Sequence, residues 1–188
     1  MDVSLPVLDH VQNLKIIGNV SSLSLPKLAT IARLGDTYST GLKLGLYGTP
    51  VVVDLPKLST VERGAYFQGN ITSLSLPALR DYPEEFGVRT SESLEVNLPA
   101  GSGGLISLLG KIESAQFPNL TNFDELIVQS DIRFDCGSLL NSLKETAKDV
   151  EVEKDENVFC SGGAGILHSG FRATVAAAGF VALVGYLL

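Results

Sequence analysis

Histidine is nearly missing from this chain, with only His10 and His168 among 188 residues. A metal centre needs several convergent His, Cys or carboxylate ligands. None cluster here, so neither a metal nor a cofactor is expected. Tryptophan is absent, and the single Met is the first residue. Residues 1–100 lack amphipathic helices of ordinary length, which argues against a helical-repeat fold. Positive charge is also scarce: 14 Lys and Arg stand against 21 Asp and Glu, a net charge of −7. That balance argues against nucleic acid and anionic lipid surfaces as partners. The first residues, MDVSLPVLDHV, show neither the basic region nor the apolar region of a secretory signal peptide.

What the chain has instead is repetition. The phrase apolar-Pro-x-Leu recurs at Leu5-Pro6-Val7-Leu8, Leu25-Pro26-Lys27-Leu28, Leu55-Pro56-Lys57-Leu58, Leu76-Pro77-Ala78-Leu79 and Phe117-Pro118-Asn119-Leu120. A degenerate copy is Leu98-Pro99, and His10 reads as part of a repeat corner. The prolines are spaced by 20, 30, 21, 22 and 19 residues, periods that belong to leucine-rich and β-solenoid arrays. Within one period, Leu14 and Ile16 alternate up to a Gly18-Asn19 turn, and Leu23 and Leu25 alternate after it. Both stretches read as strands. Pro26 ends the second strand and sets a corner, because it fixes φ and has no N–H to donate. Leu28 and Ile31 then point back inside. The expected fold is mainly β: a β-solenoid or leucine-rich array of short parallel strands, spanning 1–135. Leu34 to Thr40 reads as a surface loop inserted at the longest step. An array needs caps, and 136–160 reads as one. Gly137 to Lys148 puts Leu139, Leu140 and Leu143 on one helical face, and Asp149 to Asn157 reads as a solvated loop.

The last segment, 161–188, has a different character. Ser161-Gly162-Gly163-Ala164-Gly165 is a run of tiny side chains, and from Phe171 to Leu188 the only charge is Arg172. Small residues, a short spacer and an apolar end form the signal for a glycosylphosphatidylinositol (GPI) anchor. Gly162 is the expected attachment residue, with Ser161 and Gly163 as alternatives. The partner would then be the outer leaflet of the membrane, reached through a lipid. A short tail-anchored helix or a buried core helix are the other readings of this segment. Export fits two further features. Cys136 and Cys160 are an even count, which in a secreted chain suggests a disulfide between them, with two free buried thiols as the other reading. Asn19-Val20-Ser21, Asn70-Ile71-Thr72 and Asn119-Leu120-Thr121 are N-glycosylation sequons, two of them after Gly at equivalent places in the repeat.

Together the Leu-Pro-x-Leu phrase, the Gly-Asn turns with sequons, Phe134-Asp135-Cys136 leading into a short helix and a second Cys before the tail resemble a known family. It is that of the fungal GPI-anchored cell-wall organisation glycoproteins, which are leucine-rich and similar to the receptor L-domain. The resemblance covers nearly the whole chain. It implies a non-enzymatic surface glycoprotein supporting wall integrity, with a right-handed β-solenoid, receptor-L-domain-like body, placed at the extracellular face of the plasma membrane and in the cell wall. Contact with wall glucan or wall proteins is part of that expectation. The family carries a signal peptide and further N-terminal repeats, so this chain reads as the C-terminal portion of a longer protein. It also tends to carry a Ser/Thr-rich stalk before the anchor, whereas here Cys160 abuts Ser161.

No catalytic residue emerges from the remaining motifs. Glu84-Glu85 and Asp124-Glu125 are pairs of the kind glycoside hydrolysis uses, but adjacent strand residues point to opposite faces. Gly101-Ser102-Gly103-Gly104 lacks the Lys-Ser/Thr of a phosphate loop and reads as a flexible turn. Ser102 has no His partner for nucleophilic work. A β-helix polysaccharide lyase or hydrolase is the enzymatic alternative. It would need carboxylates and an Arg or Lys on one face of adjacent turns, and Arg33, Arg63, Arg80, Arg89 and Arg133 are scattered in sequence. The other alternative is a ligand-binding receptor ectodomain, for which Tyr38, Tyr47 and Tyr66 are the candidate contacts.

Overall fold

The Leu-Pro-x-Leu phrase closes one β-turn per coil. Proline sits second in the turn, where its fixed φ is the required one and its missing N–H costs no bond. The Leu28 N–H donates to the Leu25 carbonyl at 3.3 Å, Leu58 to Leu55 at 3.2 Å, Leu79 to Leu76 at 3.1 Å and Leu120 to Phe117 at 3.2 Å. The first residue of the phrase ties its coil to the next: the Leu55 N–H reaches the Ser75 carbonyl at 3.0 Å. Both apolar ends turn inward, so Leu25, Leu55, Leu76, Leu98 and Phe117 form a buried column, and Leu28, Leu58, Leu79 and Leu120 another.

A computed structural model describes residues 1–32, 41–80, 83–147 and 157–163. The chain is a β-solenoid of about six turns with parallel strands and one short helix near the C-terminus. Its main sheet contains β3 (Leu14–Asn19), β6 (Leu42–Asp54), β8 (Gly64–Ser75), β9 (Glu85–Asn97), β10 (Ser102–Gln116), β11 (Asn122–Ser130) and β12 (Val158–Gly162). They run side by side in the order β12-β11-β10-β9-β8-β6-β3. A second sheet pairs β1 (Asp2–Ser4) with β4 (Ser22–Ser24). The third side carries β2 (His10–Val11), β5 (Thr30–Ile31) and β7 (Thr60–Val61). Single backbone bonds extend that side further, from Gly101 N–H to Arg80 O and from Thr121 N–H to Gly101 O, each at 2.7 Å.

Three expectations need correction. In the middle coils a Gly-Asn turn does not separate two short strands. Instead β6, β8, β9 and β10 run through the corner as single long strands bent by register shifts, as between Leu46 and Val51. A bulge bends a strand without ending its ladder. Gly101-Ser102-Gly103-Gly104 is not a flexible turn, because residues 102–104 open β10. A Cβ on Gly104 would stand 2.2 Å from the Glu84 carbonyl oxygen, so glycine is there for close backbone approach. His10 lies in β2 rather than in a corner.

The corner has its own chemistry. Register stacks Leu46, Gly69, Thr90, Gly110 and Ser130 over one another. Gly69 and Gly110 have φ of 116° and 98°, which side-chain-bearing residues rarely adopt. The alternate positions carry buried hydroxyls. Thr90 Oγ1 donates to the Ile71 carbonyl at 3.0 Å and accepts the Glu92 N–H at 3.0 Å. Ser130 Oγ does the same with the Ile112 carbonyl at 2.7 Å and the Ile132 N–H at 3.2 Å. Each hydroxyl thus satisfies backbone groups that the bend takes out of the ladder. Thr90→Val keeps the shape and leaves both groups unpaired. It should lower the unfolding free energy by about 1–3 kcal/mol in urea titration, against a small effect for exposed Thr60→Val.

At the C-terminal end, α1 (Cys136–Thr146) starts on Asp135, whose carboxylate accepts the Ser138 N–H at 3.1 Å. Leu139 and Leu143 are buried and Leu140 is partly buried against the core. The segment 136–160 therefore holds both a helix and the outermost strand of the main sheet. Cys136 and Cys160 stand in disulfide-bonding position, Cα to Cα 5.8 Å, with Cys160 beside Val128 in the ladder. Leu34 to Thr40, residues 149–156 of the expected loop and residues 164–188 lie outside the described residues.

Candidate functional site

Side chains on the outer side of the main sheet alternate with the buried ones, so register decides which of them meet. One outward column reads Ile17, Gly45, Gln68, Arg89, Leu109, Gln129 and Ser161. The next column, at the corner, includes Asn19 beside Tyr47. Small residues recess the surface between bulkier ones. The result is an open groove of about 550 Å³ crossing five coils, whose polar walls are Tyr47, Gln68, Asn70, Arg89, Gln129 and Asp131. Successive strands are about 4.8 Å apart; four of these coils bring a polar side chain to the groove, and the β10 coil brings Leu109 and Gly110.

Two tyrosines lean over glycines on this face. A Cβ on Gly45 would meet Tyr47 Cε2 at 3.4 Å, and one on Gly87 would meet Tyr66 Cδ1 at 3.1 Å. Tyr47 is 39% exposed, and its ring borders the groove. Tyr66 lies outside the groove lining, and its hydroxyl donates to Glu85. The Asn70 amide is held at both ends. Its Oδ1 accepts from Ser91 Oγ at 2.5 Å, and its Nδ2 donates to the Gly48 carbonyl at 2.5 Å. Guanidinium, amides, a phenol and hydroxyls thus line a trough whose one carboxylate among the described residues is Asp131. This set suits a ligand rich in hydroxyl groups.

The expected residues divide around the groove. Arg89, Tyr47 and Asn70 come together in it, while Arg63, Arg80 and Arg133 do not line it. Glu84, Glu85, Asp124 and Glu125 are exposed away from it, and Ser102 opens β10. Arg33, Tyr38 and His168 lie outside the described residues. Among the described residues no three His, Cys, Asp or Glu side chains converge on a common metal position. His10 stands 3.2 Å from the Asp9 carboxylate, far along the chain from the groove residues. Its hydrogen bond holds that carboxyl below the ordinary range. Gln68, Gln129 and Asp131 were missed by sequence reasoning. A signal was available, since Gln68, Arg89, Leu109 and Gln129 follow one another at the repeat period.

The other sequons sit elsewhere. Asn19 is exposed at the end of β3. Asn119 is exposed in a Leu-Pro-x-Leu turn, its Nδ2 donating to the Pro99 carbonyl at 2.8 Å. Of the anchor candidates, Ser161 and Gly162 close β12, and the Gly163 N–H bonds to the Ser130 carbonyl at 3.1 Å. A Cβ on Gly162 would stand 2.6 Å from Phe134 Cβ. Close packing thus accounts for one of the small residues in that run. No helix among the described residues is long and apolar enough to cross a membrane.

No family model, curated protein or solved structure matches the chain.

Proposed function

We propose that the protein is a non-enzymatic, GPI-tethered surface glycoprotein that supports fungal cell-wall organisation by holding wall glucan along its groove. The observation that carries this reading is the groove lining: polar side chains come from four of its five coils, with an exposed tyrosine at one end. Sugar rings offer hydroxyls to amide and guanidinium groups and a C–H face to a phenol ring. A hydrolase acts with two carboxylates flanking the bond, and Asp131 is the one carboxylate of this lining. Exposed sequons and the cysteine pair agree with export. Attachment at Gly162 would place the lipid directly on the outermost strand, with the end of β12 off the sheet during the exchange.

The test follows the protein from cell to ligand. Phosphatidylinositol-specific phospholipase C should shed it from intact cells, and the shed protein, once its N-glycans are removed, should be retained on immobilised laminarin. An Arg89→Ala/Gln129→Ala variant should lose about tenfold or more in affinity, the worth of one or two hydrogen bonds with a charged group. Retention in the membrane pellet counts against the anchor, and equal binding by the variant counts against the groove. The enzymatic reading draws on Arg89 and Asp131 sharing one groove, as a lyase would require. Appearance of unsaturated sugar ends on incubation with wall polysaccharide, abolished by Asp131→Asn, would replace binding with catalysis.

A further inference from the structure

Asn70 belongs to two features at once. It is the acceptor of the sequon Asn70-Ile71-Thr72, and its side chain forms part of the groove wall. We infer that a glycan on Asn70 occupies the groove and excludes a free oligosaccharide, so occupancy of this one sequon sets whether the site is open. The inference rests on the groove being a carbohydrate site and names its regulation.

The geometry confines the attachment point. Asn70 Oδ1 is held by Ser91 Oγ on one neighbouring coil, and Nδ2 points to the Gly48 carbonyl on the other. Nδ2 is the atom that would carry the sugar, and its partner Gly48 directly follows Tyr47 of the same wall. A sugar joined there emerges within reach of the contacts proposed for the free ligand. Because it is covalently attached, its effective concentration at the groove is high, in the millimolar range typical of short tethers. A weakly bound free oligosaccharide cannot displace it. The other two sequons lack this placement. Asn19 does not line the groove, and Asn119 lies in a proline turn whose Nδ2 bonds to Pro99 O. The molecule thus contains its own controls.

Thr72 offers a clean way to remove the glycan. It is exposed, and its hydroxyl makes only a long contact, 3.4 Å to the Val51 carbonyl. Thr72→Ala destroys the sequon while leaving Asn70 in the wall. The experiment compares exported wild-type, Thr72→Ala and Thr121→Ala proteins by intact mass and by calorimetric titration with laminarihexaose. Wild-type protein should carry sugar on Asn70. Thr72→Ala should bind about tenfold tighter or more, and Thr121→Ala should match the wild type. Asn70 found bare in exported protein, or a glycosylated form binding as tightly as Thr72→Ala, would overturn the inference. Failure of Thr72→Ala to bind at all would instead remove the groove reading, and this inference with it.

Discussion

Gly110→Ala should lower the unfolding free energy by about 3–5 kcal/mol, because two penalties act together. The position has φ of 98°, a region costly for any residue with a Cβ. The new Cβ would also stand 1.9 Å from the Thr90 carbonyl oxygen and 3.0 Å from its carbon. Those are backbone atoms of the coil beneath, so no rotamer change relieves the clash. Moving the strand would strain Thr90, whose hydroxyl holds two backbone groups at the same corner. Gly18 serves as comparison, since a Cβ there meets nothing within 4 Å. Gly18→Ala should therefore cost only about 1–2 kcal/mol, the backbone penalty alone. Urea titration of both variants reads the difference. Equal losses would mean that the coils do not approach as closely as described.

Removing the cysteine pair should have the second large effect, of a different kind. Cys136 and Cys160 are separated by 24 residues, and a crosslink over that span contributes roughly 3 kcal/mol by restricting the unfolded chain. In a stack where each coil touches only its neighbours, such a loss stays near the end where it arises. The double variant Cys136→Ala/Cys160→Ala should show faster amide exchange in β12 and α1. Protection in β6 and β8, several coils away, should change little. Gly110→Ala lies in the middle of the stack and should loosen β9, β10 and β11 together. Uniform loss of protection across all coils in the cysteine variant would argue against a chain of nearest-neighbour contacts.

The repeat was readable because its chemistry is local. Proline next to leucine ends a strand and closes a four-residue turn regardless of what lies above or below. Alternation at Leu23 and Leu25 and the inward Leu28 and Ile31 follow from the same short-range rules. The helix was legible too, from its leucines at helical spacing. The failures were also systematic. Gly101 to Gly104 read as a turn because glycine clusters commonly are one, whereas a neighbouring backbone required the smallest residue. Thr90 and Ser130 passed unnoticed, since a hydroxyl with a structural task looks like any other hydroxyl in sequence.

The sequence by itself determined the coil: its length, its proline corners, its apolar interior and the number of times it recurs. It also supplied the sequons and the cysteine pair. Only the tertiary structure decided how one coil is registered on the next, and therefore which outward side chains share a groove. Gln68, Arg89 and Gln129 lie far apart along the chain and are brought into one column, with Leu109 between the last two, through interstrand hydrogen bonds. A shift of one residue in that pairing would turn each of them to the opposite face. Inward positions announce themselves by being apolar, whereas outward ones carry no such mark until the ladder aligns them.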